Sequence, residues 1–134
     1  MKYILSFLLL CFGITTAQKG NFNSEDLKIT PLIDGTLIIP EQPAKMPLAI
    51  IIGGSGPTDR NGNQMMMVNN SLKFLAEGLY AENIASFRYD KRIVKQMKSN
   101  SLNEENIDFS QFIADAEAVI SYLKKTTDFQ KFTS

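Results

Sequence analysis

The chain has 134 residues, 44% hydrophobic and 21% charged, and its 14 basic groups balance 14 acidic ones. Such a composition fits one globular domain, while zero net charge without a basic cluster excludes the field that attracts nucleic acid or an anionic membrane. With no histidine and a single cysteine, Cys11, the rest of the chain has no thiol for a disulfide or a nucleophile, and a zinc ion would find only carboxylates.

The first segment reads as an export signal. Lys2 opens it, residues 3–14 are nearly all apolar, and Thr15-Thr16-Ala17 ends in the small residues that a signal peptidase accepts. Cleavage is expected after Ala17. The apolar run is shorter than the ~20 residues a bilayer crossing needs, and bulky Leu10 before Cys11 argues against a lipid-anchored cysteine. The expected organisation is a signal peptide over residues 1–17 and one domain over 18–134. The product is expected to be exported, periplasmic or extracellular, with no stable membrane anchor after cleavage.

Residues 18–26 are polar and read as loose chain. Runs at 27–32 and 35–39 read as two short strands turned at Asp34-Gly35, a dipeptide suited to a tight hairpin. Pro40, Pro43 and Pro47 then enforce a connecting loop. Residues 48–52 form a continuous apolar run, the pattern of a strand buried on both faces. Met65-Met66-Met67 reads as flexible apolar filling, of the core first and of a pocket wall as the alternative. Leu72, Leu75, Ala76 and Leu79 recur at helical spacing after Asn69-Asn70, which can cap the helix.

Residues 84–89 predict the next strand, and polar residues 95–106 a surface loop. Phe109, Phe112, Ile113, Ala116, Val119, Ile120 and Leu123 then mark one face of a helix, with Gln111, Asp115, Ser121 and Lys125 towards the other. Asp108 and Gln111 have capping-box spacing at its start. Residues 129–133 look like entry into a further strand. Strands alternating with helices predict parallel βαβ units with right-handed crossovers. The ends of the strands at Ile52 and Tyr89 are expected side by side, so that Gly53-Gly54-Ser55-Gly56 and Asp90-Lys91-Arg92 converge on one ligand crevice.

The glycine run fits none of three familiar ligand loops. It lacks the third glycine of a dinucleotide fingerprint and the Gly-Lys-Ser/Thr of a P-loop. Asp59, Asn61 and Asn63 alternate as calcium ligands do, but Gln64 and Asn70 stand where that loop needs glycine and glutamate. No cofactor and no metal are expected.

Taken in order, Gly53-Gly54-Ser55-Gly56-Pro57-Thr58-Asp59-Arg60-Asn61-Gly62-Asn63, Leu75-Ala76-Glu77 and Phe87-Arg88-Tyr89-Asp90-Lys91-Arg92 resemble the amino-terminal half of exported bacterial α/β-hydrolases. These are serine esterases and peptidases near the dienelactone hydrolases, and the likeness covers roughly residues 33–132. The resemblance implies an α/β fold: an incomplete hydrolase-type sheet with an antiparallel edge hairpin followed by parallel βαβ units, ending before the nucleophile elbow.

It also implies that the Ser55 main-chain N–H is an oxyanion donor, with Gly54 and Gly56 shaping the turn. Asp59, Arg60 and Asn63 become loop-bracing residues. Arg88 and Asp90 read as a salt bridge fixing the strand end.

Ser55 is not the nucleophile the resemblance would supply, because Pro57 occupies the fifth position of the Gly-x-Ser-x-Gly pattern and the run comes one strand pair too early. Where the family continues with Gly-x-Gly after Arg92, this chain has Ile93-Val94-Lys95. No nucleophile, acid or base of the family is expected among these residues, and no spacing supports Lys91 as a base. Without a base a serine hydroxyl stays a weak nucleophile. The functional expectation is therefore the oxyanion-loop half of a serine hydrolase for a small-molecule ester or amide, inactive as an isolated chain. Its alternatives are a non-catalytic exported small-molecule-binding protein and an unstable truncated product.

Overall fold

A computed structural model of the chain describes residues 22–41, 46–103, 105 and 107–126. The expected signal peptide and the expected strand at 129–133 lie outside the described residues. Four strands, β1 (Ser24–Lys28), β2 (Asp34–Ile38), β3 (Leu48–Ile51) and β4 (Ala85–Tyr89), form one mixed sheet in the order β1-β2-β4-β3. Three helices, α1 (Ser71–Ala81), α2 (Arg92–Lys98) and α3 (Phe109–Thr126), complete an α/β architecture. β1 and β2 pair antiparallel, as do β2 and β4, while β3 and β4 run parallel and are joined through α1.

The two-residue period of the strands sorts side chains between two layers. Leu37 of β2, Leu48 and Ile50 of β3, and Phe87 and Tyr89 of β4 pack with Ile33 and with Val119 and Leu123 of α3. On the opposite face, Ile38 and Ile51 pack against Ala76 of α1, with Leu72, Leu79 and Tyr80 around them. β4 lies between two neighbours and all five of its residues are buried.

Several expectations are corrected. The first hairpin lies three residues earlier than its apolar run suggests, because Pro31 cannot donate to a ladder and Thr30 organises a turn instead. Thr30 Oγ1 accepts from the N–H groups of Leu32 and Ile33 at 3.2 and 3.1 Å, and Ile29 N–H donates to Ile33 O at 2.9 Å. Asp34-Gly35 thus opens β2 rather than forming the turn, and residues 24–26 of the supposedly loose chain belong to β1. β3 is less buried than a strand covered on both faces: only Ile51 is fully buried, since β3 ends the described sheet order.

The stretch expected to be a loop from residue 95 begins inside α2. Its one buried side chain, Val94, gives too little apolar periodicity to announce a helix. Met65, Met66 and Met67 are exposed, not core. They form a tight turn in which Gln64 and Met67 exchange main-chain hydrogen bonds at 2.9 and 3.0 Å. In α1, Leu75 is exposed despite its helical spacing.

Asn70 makes no side-chain cap. Its φ is 53°, and Asn69 Oδ1 instead accepts from Ser71 N–H at 2.9 Å while Asn61 O accepts from Leu72 and Lys73 N–H at 3.1 and 3.3 Å.

The α3 face is also narrower than predicted. Val119 and Leu123 are buried, whereas Phe109, Ile113 and Ile120 are exposed. Asp115, expected to point away, is 5% exposed because Arg92 Nε and Nη2 bind its carboxylate at 2.7 and 2.6 Å. Gln111 Oε1 accepts from Arg92 Nη1 at 3.0 Å, and Asp108 accepts from Ser110 N–H at 3.4 Å. Among the described residues no helix is long and apolar enough to cross a membrane.

Candidate functional site

Parallel pairing sets Ile51 of β3 beside Arg88 of β4, so both strands deliver their following loops to the same edge of the sheet. Between those loops lies a crevice of about 520 Å³, lined by Gly54, Ser55 and Gly56 on one side and by Lys91 and Phe112 on the other. Ile52, Ile93, Ile107 and Phe109 add apolar surface, and Tyr89 and Asp115 add the remaining titratable side chains. Burial, followed by the charge of Asp115, pushes the Tyr89 phenol above the ordinary tyrosine pKa. Sequence reading put Phe109 and Phe112 on one face of a helix and Tyr89 at the strand end beside the crevice, and gave Asp115 no part in it.

The glycine turn is held through its carbonyl groups. Ser55 O accepts from Thr58 Oγ1 at 3.2 Å and from Gln64 Nε2 at 3.1 Å. Gly54 O and Gly56 O both accept from Lys91 Nζ, the latter at 3.3 Å. Gly56 O also accepts from Thr58 N–H at 2.9 Å. The Ser55 N–H has no acceptor among the described residues.

Gly56 has a φ of +80°, which favours glycine, whereas a Cβ at Gly54 would meet nothing within 4 Å. Thr58 and Gln64, which complete this scaffold, were given no role in the turn by the sequence reading. Their signal was only proximity to the glycines.

The remaining site candidates stand behind the turn, outside the crevice. Asp90 takes three hydrogen bonds from Arg60: main-chain N–H at 2.8 Å, Nε at 3.0 Å and Nη2 at 2.8 Å. Arg60 Nη1 continues to Asp26 and to Thr36, each at 3.1 Å. Burial on its own lowers the Arg60 pKa, but the bonds and charges of Asp90 and its neighbours outweigh it and hold the pKa raised.

The expected Arg88–Asp90 pair is therefore replaced by Arg60–Asp90. Asp90 lies just past the end of β4, where the folded loop brings Arg60 onto its carboxylate. Arg88 donates only a long bond, 3.4 Å, from Nε to Asn61 Oδ1, and its Nη1 is buried without a partner among the described residues. Burial, then the charge of Arg60, lowers its pKa.

Asp59 and Asn63 close the loop on itself. Asp59 Oδ1 accepts from Asn61 and Asn63 N–H, both at 2.8 Å, and Asn63 Oδ1 accepts from Asn69 and Asn70 N–H, both at 2.9 Å. These oxygens, which alternate as calcium ligands would, serve the loop's own amides. Gly62 lets the loop approach α1. Its φ is +93°, and a Cβ there would stand 2.5 Å from Ser71 Oγ. Among the described residues, no three histidine, cysteine, aspartate or glutamate side chains group as metal ligands.

Over 109 residues the chain is 28% identical to Esterase EstD of Thermotoga maritima. The match covers 81% of this chain but only 25% of the esterase, so the chain spans about a quarter of that relative's length. No family model and no solved structure matches. The similarity is weak, and it supports an esterase-like hydrolase relationship.

Chemically, the crevice offers a main-chain donor, a lysine ammonium and an apolar wall, a set that can bind a polarised oxygen beside an uncharged group.

Proposed function

We propose that this chain carries the oxyanion-loop half of an exported serine hydrolase of the α/β-hydrolase type, acting on a small ester or amide. The observation that carries the reading is at Ser55: the residue lines an open crevice and its N–H has no acceptor among the described residues, while the carbonyl groups of its turn are occupied. A donor fixed in place before reaction stabilises developing charge without reorganisation, and one such donor is worth roughly 3 kcal/mol of barrier. The similarity to Esterase EstD supports the same class. The nucleophile and its base are to be supplied by sequence outside these 134 residues, which contain no histidine.

The binding half can be tested without them. Phenylphosphonate presents a tetrahedral anion with an aryl group for the apolar wall. Titrated into the ¹⁵N-labelled chain, it is expected to shift the Ser55 amide resonance saturably. Shifts confined to residues outside the crevice would sink the reading. A fluorophosphonate probe is expected to leave the chain unlabelled, and stoichiometric labelling would overturn the assignment that no nucleophile is present.

Export rests on Lys2, the apolar residues 3–14 and Ala17. Amino-terminal sequencing of the secreted product is expected to begin at Gln18; a product that retains Met1 and Lys2 would contradict it.

A further inference from the structure

The oxyanion reading leaves Lys91 without a role, although its ammonium lies in the crevice. Lys91 Nζ donates to the carbonyl groups of Gly54 and Gly56 and stands 5.7 Å from the centroid of the Phe112 ring. Among the described residues it has no carboxylate within ion-pairing distance. Burial lowers its pKa, and the two main-chain oxygens give the partly exposed ammonium a share of its solvation.

The choice of oxygens matters because a peptide unit is conjugated. The carbonyl of one residue and the N–H of the next share one π system. A cation on the oxygen draws density from the nitrogen and strengthens the N–H as a donor, the cooperative effect seen along hydrogen-bond chains. Gly54 O belongs to the peptide whose N–H is that of Ser55. Ser55 O belongs to the peptide whose N–H is that of Gly56, and it is loaded by the neutral donors Thr58 and Gln64. Gly56 O belongs to the peptide of Pro57, which has no N–H to strengthen. The charged donor therefore falls on the one peptide that carries the oxyanion donor, while its second bond anchors the turn.

We propose that Lys91 is a positioning residue that polarises the Gly54–Ser55 peptide, making the Ser55 N–H a stronger oxyanion donor, and that clamps the turn through Gly56 O. The proposal rests on the oxyanion reading of Ser55. It assigns Lys91 neither a proton transfer nor a bond to substrate. Arginine in its place keeps the charge with a different donor geometry, so Lys91→Arg is the conservative variant and Lys91→Gln the neutral one.

The full 134-residue chain serves for the test, with the Ser55 and Gly56 amide resonances read first without ligand. Lys91→Gln is expected to move the Ser55 amide upfield and the Gly56 amide less, because Lys91 does not touch the carbonyl before Gly56. Lys91→Arg is expected to restore part of the Ser55 shift. Phenylphosphonate affinity is expected to fall about tenfold in Lys91→Gln, the equivalent of one charge-assisted hydrogen bond weakened. An unmoved Ser55 amide, or equal movement of Ser55 and Gly56, overturns the polarisation. If the Ser55 resonance follows the substitution but the unsubstituted chain does not bind phenylphosphonate, the oxyanion reading fails and the polarised peptide stands.

Discussion

Replacing Asp90 with alanine is expected to lower the stability of the fold by about 3 kcal/mol, the loss found when one partner of a well-paired buried ion pair is removed. Urea denaturation reads the change as a lower midpoint with an unchanged slope. The size follows from geometry and burial. The side chains of Arg60 and Asp90 are each 18% exposed, and the carboxylate accepts three hydrogen bonds from one residue.

Removing Asp90 strands the Arg60 main-chain N–H and leaves the guanidinium with Asp26, whose side chain is 77% exposed. Asp26→Ala provides the contrast. It removes the solvent-exposed end of the same network, and exposed pairs contribute about 0–1 kcal/mol. Asp90→Asn should fall between the two, because an amide oxygen can still accept from the main chain. Equal losses for Asp90→Ala and Asp26→Ala would show that burial does not govern this network. Since Asp90 directly precedes Lys91, loosening it also loosens the side of the crevice opposite the glycine turn.

What the sequence made legible, and what it hid, divides along physical lines. The strand at 84–89 was readable because a central strand needs an unbroken buried run, and β4 is buried at every position. Convergence of the glycine loop and Lys91 followed from parallel pairing, since that topology fixes which ends of two strands are neighbours. Helix α2 was hidden because most of its length is polar and only Val94 is buried.

Charges were paired wrongly for a different reason. Arg88 and Asp90 are close in sequence, but Arg60, which lies 30 positions from Asp90, reaches that carboxylate through the folded loop. Pairing of that range has no periodic signature. The exposed methionines show the converse limit: hydrophobicity without a period does not decide burial, and Met65-Met66 occupies the tip of a turn closed by Gln64 and Met67.

The largest single loss is expected at Phe87. Its side chain is completely buried in β4, stacked on Tyr89 with centroids 6.3 Å apart and planes 20° apart, within the cluster that joins the sheet to α3. Phe87→Ala removes those contacts and opens a cavity, a change that costs about 3–5 kcal/mol. Against a typical domain stability of about 5–15 kcal/mol, that is a large share.

The ring also explains Gly35 of β2, which pairs with Tyr89 and lies diagonally under the Phe87 ring. A Cβ at Gly35 would stand 2.2 Å from Phe87 Cζ and 2.8 Å from Arg88 O. Gly35→Ala alone is therefore expected to cost about 1–3 kcal/mol through overpacking. In a double-mutant cycle, Phe87→Leu should relieve the clash with the ring and leave the one with Arg88 O, because shortening a side chain does not move the backbone of β4. Coupling between the two sites should thus be favourable but incomplete. Strict additivity would mean that the ring is not what requires glycine at position 35, and full rescue would mean that the strand itself gives way.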